Sequence, residues 1–405
     1  MKFLLSDKNV FEYLISQGIC TQEEQSLSEI ELKPAKNFNL LVSFPDGHKI
    51  LVKQERINRE GKTLNEFADE WQVHKFFQLF PEISHLRSSL SEAIHFDSEN
   101  SIIVFNYLQE YRDLLDFYHS ESFFPPQISR LIGTTLASIH RLTINRQDYQ
   151  EFFQKNKIGV DLETHDLSRG LERISPAVFG LLPADGLKFF TLYQRYDHLG
   201  RAIADLSNAF NACCFTHNDL KLNNILLSLN WEAAIFKESY SDEKIIRFID
   251  WEQGNWGDPA NDLGTVIASY LQIWLHSMVT SRTIPIEDSL RLAAIPLQSL
   301  QPCIAALVSA YLAQFPEILE YRPNFFELVI QFAGLALIRS IQATLQHQRT
   351  FGNAGICILQ VAKNLLCRPQ ASMVTVFGME VSDLIPIGLR TSQYPGGIYK
   401  TPTSK

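Results

Sequence analysis

Phe215-Thr216-His217-Asn218-Asp219-Leu220-Lys221-Leu222-Asn223-Asn224-Ile225-Leu226-Leu227 is the stretch from which the fold is read. A mostly apolar run ends just before His217, and an apolar strand begins at Ile225. Between them lies a short polar loop with one carboxylate, Asp219, and one amide, Asn224, five residues further on. Buried segments at both ends make such a loop rigid enough to position both groups. A second stretch, Phe248-Ile249-Asp250-Trp251-Glu252, puts another carboxylate where a strand-like run ends. If the runs at 224–227 and 245–249 pair as a hairpin, Asp250 comes to lie beside the Asp219 loop. Two carboxylates and an amide oxygen around one spot suit Mg²⁺, a hard cation that keeps several waters and takes few protein ligands. Phosphoryl transfer asks little more: a metal to neutralise the phosphates and a carboxylate for the hydroxyl proton.

Working outward toward the N-terminus, residues 38–44 and 48–54 are strand-like and flank the turn signal Pro45-Asp46-Gly47. In the second run Ile50 and Val52 share one face, and Leu51 and Lys53 the other. Val73, Phe76, Phe77 and Phe80 then recur at helical spacing. Residues 101–107 form another apolar strand, followed by a polar joint at 109–113. Beyond that joint the chain reads as mostly helix, with one long amphipathic helix over 187–210 and helical Leu, Ile, Ala and Gln patterns over 260–368. From Pro369 onward, Pro, Gly, Ser and Thr point to a loosely ordered tail. The expected organisation is α+β and two-lobed. A small antiparallel-sheet lobe spans 1–108, a mainly helical lobe with the catalytic loop spans 109–368, and the tail spans 369–405. Ligand sites favour the cleft of such an arrangement.

The bulk numbers agree with a globular enzyme. Of 405 residues, 45% are apolar and 20% charged, which excludes a disordered polyelectrolyte. A net charge of -9 disfavours nucleic acid and anionic membrane as partners. The apolar stretch at 3–5 is too short for a signal peptide core, and the one at 292–315 is broken by Pro296 and Pro302. Six scattered cysteines without a Cys-x-x-Cys spacing suggest buried thiols in a reducing cytoplasm.

The stretch HNDLKLNNILL at 217–227 resembles the H-x-D-x-x-x-x-N catalytic loop of protein kinases and of the aminoglycoside phosphotransferase and choline kinase superfamily. FIDWEQGNWGDPANDLG at 248–264 is similar to that family's second signature, and Leu136-Ala137-Ser138-Ile139-His140 to its L-A-x-L-H helix. The resemblance covers roughly residues 30 to 365. It implies a protein-kinase-like fold and an ATP- and Mg²⁺-dependent phosphotransferase acting on a small-molecule hydroxyl. By the same resemblance Asp219 is the base or hydroxyl-positioning carboxylate, and Asn224 and Asp250 ligate magnesium. Lys53 contacts the ATP phosphates and pairs with Glu70, with Glu66 one turn back as the alternative. Phe105 and Tyr107 belong to the linker, 104–108, that binds adenine through backbone groups. The phosphate-covering loop falls near residues 34–37 and has no glycine; Lys36 compensates there by its charge. Lys221, two residues after Asp219, matches a lysine that Ser/Thr protein kinases use on the γ-phosphate.

Two other functions compete. Lys221 favours a protein or peptide kinase, whereas Asp-Trp-Glu in place of Asp-Phe-Gly and the absence of an Ala-Pro-Glu segment oppose it. The glycine-free loop favours a nucleotide-binding pseudokinase, which the intact Lys53, Asp219, Asn224 and Asp250 oppose. His140 and His217 are expected to hold loops by hydrogen bonds, and Asp258, just before Pro259, to cap a helix. The excursion at 229–243 has no assigned role. The acceptor and the oligomeric state are not encoded in any spacing.

Overall fold

Alternation of apolar residues builds the first sheet. Its strands are β1 (Glu29–Lys33), β2 (Phe38–Ser43), β3 (Lys49–Gln54), β4 (Glu92–Asp97) and β5 (Ile102–Asn106). They are antiparallel and lie in the order β1-β2-β3-β5-β4. β2 and β3 form the expected hairpin, and its turn uses Gly47 at φ 88°, a conformation costly for any residue with a Cβ. These coordinates are a computed structural model that describes residues 3–58, 61–156, 167, 171, 183–236, 245–278 and 286–386.

One face of the sheet carries Leu40, Val42, Ile50, Val52, Ile102 and Val104, buried with Val10, Phe11 and Leu14 of helix α1 (Val10–Ser16). The short α2 (Gln22–Gln25) follows, closed by a capping box between Thr21 and Glu24. The other face of the sheet carries Asn39, Leu41, Leu51, Lys53, Ile103 and Phe105. Phe67 of α3 (Glu66–Leu79) packs there against Ile103 and Phe105. The start of α3 is held by Glu55, just past the end of β3. Its carboxylate accepts from the backbone N–H of Asn65 at 3.0 Å and of Phe67 at 2.6 Å. Helix N-termini leave such donors unpaired, so Glu55 ties the strand bearing Lys53 to the helix bearing Glu70.

β6 (Tyr111–Asp113), β7 (Cys214–Thr216), β8 (Ile225–Ser228), β9 (Ile246–Phe248) and β10 (Asn255–Gly257) form two small sheets, β6-β8-β9 and β10-β7. An aromatic cluster supports them. Phe76 and Phe77 of α3 meet Phe215 of β7 at ring distances of 5.4 and 5.6 Å. Phe153 stacks on Phe215 at 5.0 Å, and Trp251 stacks on it at 5.5 Å. Burying each ring contributes about 1.5–3 kcal/mol, with about 0.5–1.5 kcal/mol more for a favourable pair.

The chain divides into two compact units that do not follow the expected boundary at 108/109. The first comprises residues 1–122, 143–164 and 213–257; the second comprises 123–142, 165–212 and 258–405. Thus the stretches at 215–227 and 248–252 belong with the N-terminal sheet. Chain order misleads here because β7, β8, β9 and β10 pair with one another and with β6.

The second unit is helical. Pro259–His276 is buried along nearly its whole length and begins as expected: Asp258 accepts from the Ala260 N–H at 3.0 Å, with Pro259 in the first turn. Asp258 also pairs with Arg322 at 2.9 Å, both nearly solvent-free. His140 bridges the Tyr311 hydroxyl at 2.9 Å and the Asp262 carboxylate at 3.2 Å in the fully buried interior. Phe325–Gln348 is long and apolar enough to cross a membrane by length and composition; in this unit Leu328, Val329, Phe332 and Leu335 of that helix are buried.

Two expectations need correction here. The helix over 187–210 is two, Ala184–Gln194 and Asp197–Ala209, with a break at Arg195–Tyr196. The tail does not start at 369: Pro369–Phe377 is a helix with Met373, Val376 and Phe377 buried. Pro369 opens that helix at its first position rather than breaking it, because the missing N–H has no partner there anyway. Residues 387–405 lie outside the described residues, as do 237–244 of the excursion, whose preceding part forms the helix Trp231–Phe236.

Candidate active site

The hairpin that the sequence calls for is present. Ile225 faces Phe248 across β8 and β9, and the Ile249 N–H donates to the Asn224 carbonyl at 3.0 Å. That bond sets the residues on either side of it, Asn224 and Asp250, at the same end of the hairpin. Asp250 has φ 66° and ψ 57°, a left-handed conformation that asparagine and aspartate tolerate better than most residues.

The loop before β8 is held from several sides. Asn218 is also left-handed, at φ 63°. Its Nδ2 donates to the Gln253 carbonyl at 3.1 Å, and its Oδ1 accepts from the Thr216 hydroxyl at 3.0 Å. Gly257, opposite, has no room for a side chain: a Cβ there would lie 2.2 Å from Thr216 Oγ1 and 2.8 Å from Asn218 Oδ1. His217 donates through Nε2 to the Ile249 carbonyl at 2.9 Å and packs on the Trp251 ring at 4.4 Å. This is the structural role expected of it. Asn224, 4% exposed, donates through Nδ2 to the Asp219 carbonyl at 2.9 Å and accepts at Oδ1 from Asn223 at 3.0 Å. The second lone pair of that oxygen remains for another partner. Lys221 grips Asp219, its Nζ lying 2.6 Å from Oδ1 and 3.0 Å from Oδ2.

Facing these groups from α3 is Glu70, 1% exposed. Its Oε1 accepts from the Trp251 N–H at 3.4 Å, while Oε2 has no hydrogen-bond partner among the described residues. Burial pushes its carboxyl up to about 8; the Lys53 ammonium works against this, and Asp250 and Glu252 add to it. Glu252 is likewise pushed up to about 7 by burial and by the charges of Asp250 and Glu66.

Among the described residues no hydrogen bond or ion pair joins Lys53 to Glu70, contrary to the expected pairing. The Lys53 Nζ instead lies 5.1 Å from the centre of the Phe105 ring. The pairing occurs elsewhere. Glu66, the alternative partner, binds Lys36 at 2.6 and 2.7 Å, and Glu252 joins them at 3.1 Å. Burial alone would ease the proton off Lys36, but these two carboxylates outweigh it and hold the proton above the usual lysine range. Phe105 is enclosed: its ring is buried and its backbone is in register with Leu51 on one side and Ala93 on the other. The linker proper therefore starts after it. Tyr107 is 38% exposed; its N–H is taken by the Lys49 carbonyl and its carbonyl by the Gln109 N–H, each at 2.9 Å.

Sequence reading did not single out Glu55 or Glu252. Glu252 stood inside a quoted motif. Glu55 becomes notable only through what it faces in space. All of the candidate residues fall in the first unit.

Carboxylates, an amide oxygen and lysines thus stand on the 217–224 loop and on the elements around it, and comparison with known proteins gives the family. A sequence profile of the phosphotransferase enzyme family (APH) matches residues 63–282, a little over half of the chain. The chain therefore belongs to that family, whose members are phosphotransferases with an alcohol group as acceptor. No curated protein sequence matches it significantly. Among solved structures, it is similar to an ethanolamine kinase of Plasmodium vivax at 15% identity and a TM-score of 0.53, covering 89% of this chain and 90% of that one. It is also similar to the choline kinase LicA of Streptococcus pneumoniae, at 14% identity and a TM-score of 0.42 over 89% and 98% of the two chains. For the amicoumacin kinase hAmiN, solved with AMP-PNP, Ca²⁺ and Ami, the values are 10% and 0.49 over 89% and 96%. The first of these likenesses establishes the protein-kinase-like fold.

Proposed function

We propose that this protein is an ATP- and Mg²⁺-dependent kinase of a small hydroxylated molecule. Asp219 accepts the proton of the acceptor hydroxyl as its oxygen bonds to the γ-phosphorus, and the bond from that phosphorus to the β-phosphate bridging oxygen breaks to release ADP. Lys53, Lys221 and Lys36 carry positive charge toward the phosphates, and the backbone around Tyr107 meets the adenine. Asn224 Oδ1 and the Asp250 carboxylate are hard oxygen donors of the kind magnesium takes. Among the described residues no three His, Cys, Asp or Glu side chains gather as an all-protein metal cage. Two donors suit an ion whose other positions belong to water and phosphate. When bound, the ion would neutralise phosphate charge and orient the transferred group. Glu70 is buried at the same site, near Asp250 and Lys53, without binding the lysine directly. All six cysteines are free thiols, in keeping with a cytoplasmic setting where ATP is abundant.

The support that weighs most is the Ile249–Asn224 hydrogen bond, because it unites the two ends of the hairpin on which both proposed metal ligands stand. The test is ADP release over a panel of small alcohols, amino alcohols, aminoglycosides and sugars, for wild type against Asp219→Ala. Turnover should fall by about 10²–10⁴-fold while ATP binding persists. Equal rates in the two proteins would refute the assignment of Asp219. Phosphorylation of a protein panel with no small-molecule turnover would replace the small acceptor with a peptide.

A further inference from the structure

The first sheet and the small sheet that contains β8 and β9 meet over a short stretch. Leu90, just before β4, bridges Phe248 of β9 in parallel, and the Ser91 N–H donates to the Phe248 carbonyl at 3.1 Å. So short a pairing fixes its own register poorly, because register is set by a run of paired residues. A slip of one residue would move the strand by about 3.3 Å. Asp250, two residues beyond Phe248, would move with it.

Arg247, the residue before Phe248, spans this junction. On β9 it lies opposite Leu226 of β8. Its Nη1 donates to the Leu90 carbonyl at 3.2 Å and to Glu92 Oε1 at 2.7 Å, and its guanidinium lies 5.2 Å from the centre of the Tyr111 ring on β6. Glu92 opens β4, and its other oxygen accepts from Asn106 Nδ2 at 3.3 Å, directly across the strand pair. Asn106 ends β5 and is followed by Tyr107 of the linker. One arginine thereby ties the strand that leads to Asp250 to the strands that lead to the linker. Stability does not call for a charge at this place. The Arg247 side chain is 11% exposed, and its Nε is buried with no hydrogen-bond partner among the described residues. Taking a guanidinium out of water costs much of what its ion pair returns, and the best-attested use of such a group is to fix one register among several.

We infer that Arg247 is a positioning residue that couples metal binding to nucleotide binding. By clamping β9 to β4 it sets where an ion on Asn224 and Asp250 stands relative to a nucleotide held by the first sheet. Magnesium accepts only near-ideal octahedral geometry, with ligands at about 2.0–2.1 Å, so a hairpin free to slip would serve the ion or the phosphates but not both. The inference rests on the kinase reading above and adds to it a residue that touches neither ion nor nucleotide.

The experiment compares wild type with Arg247→Met, Arg247→Lys and Glu92→Gln. Titration calorimetry gives ATP affinity over a series of Mg²⁺ concentrations and, separately, adenosine affinity. In Arg247→Met the Mg²⁺ concentration that half-saturates the gain in ATP affinity should rise about ten- to hundred-fold, the usual cost of losing a group that orients a metal ligand. Arg247→Lys keeps the charge and reaches one acceptor at a time, so its rise should be smaller. Glu92→Gln, at a position 41% exposed, should move the Mg²⁺ requirement the same way by a smaller factor than Arg247→Met. Adenosine, which carries no phosphate, should change by less than about twofold in all three. An unchanged Mg²⁺ requirement in Arg247→Met would overturn the proposal. So would a loss of adenosine affinity equal to that of ATP with no recovery in Arg247→Lys, which would make Arg247 a general scaffold residue. Should Arg247→Met fail to fold, the other two variants decide, and a wild-type Mg²⁺ requirement in both overturns it. If wild type binds no ATP, or binds it without regard to Mg²⁺, the kinase reading falls and this inference with it; if wild type binds ATP in a Mg²⁺-dependent way and the variants match it, only the inference on Arg247 falls.

Discussion

Replacing Glu70 by glutamine should make the protein more stable, and the gain should grow with pH. In the folded chain this carboxyl is 1% exposed and holds its proton up to about 8. In the unfolded chain it titrates near the ordinary glutamate value of 4.5. Below the lower value both states bind the proton and the group contributes nothing. As pH rises from there, the unfolded state ionises first and is favoured, and the loss is complete only above the folded value. Each pH step between the two contributes about 1.4 kcal/mol, so the wild type gives up about 5 kcal/mol at most by pH 8. Local relaxation reduces this, and a difference of at least about 2 kcal/mol between Glu70→Gln and wild type is expected at pH 8, shrinking toward zero near pH 4.5. Urea unfolding at constant ionic strength, followed by tryptophan fluorescence, reads it directly. Four of the five tryptophans, Trp71, Trp231, Trp251 and Trp256, lie in the same unit as Glu70, so the signal reports on that unit. Parallel stability–pH curves for the two proteins would refute the argument, because they would mean that Glu70 is ionised in the folded state at neutral pH.

Two further substitutions probe the scaffold. Gly257→Ala forces a Cβ to within 2.2 Å of Thr216 Oγ1, and should cost about 1–3 kcal/mol and displace the Asn218 turn, lowering turnover more than a surface change of equal stability cost; wild-type unfolding and turnover would contradict it. Arg322→Met leaves the buried Asp258 charge without its cation and should destabilise the helical unit by about 3–5 kcal/mol, whereas the double change Arg322→Met with Asp258→Asn should recover part of that loss; chemical unfolding of the three variants decides.

The candidate site was legible in the sequence wherever function is carried by neighbours along the chain. Asp219 and Asn224 share one loop, and Asp250 follows a strand whose partner is the preceding strand-like run, so a local hairpin unites them. Asp258 before Pro259 announced a helix start by the same local logic. The hairpin at 38–54 was equally plain, since alternation and a Pro-Asp-Gly turn are short-range signals. Met373, Val376 and Phe377 also stand at helical spacing, but the proline and glycine content downstream concealed a helix that a stricter count of periodicity would have found.

Partner choice among charged residues was not legible. Lys53 and Glu70 were expected to close on each other, yet Lys36 takes Glu66 and Glu252 instead, because side chains thirty and more than two hundred positions apart compete for the same cation. Sequence alone determined the fold class and the hairpin at 225–248, which rest on hydrophobic period and short-range pairing, and the family, which rests on the resemblance of the motifs at 136–140, 217–227 and 248–264. Tertiary structure decided which acid meets which lysine, how the segments group into two units, and that Glu70 keeps a buried oxygen without a partner among the described residues. Those depend on distances between strands and helices far apart in the chain, and on how much water each group has lost, quantities that no local pattern encodes.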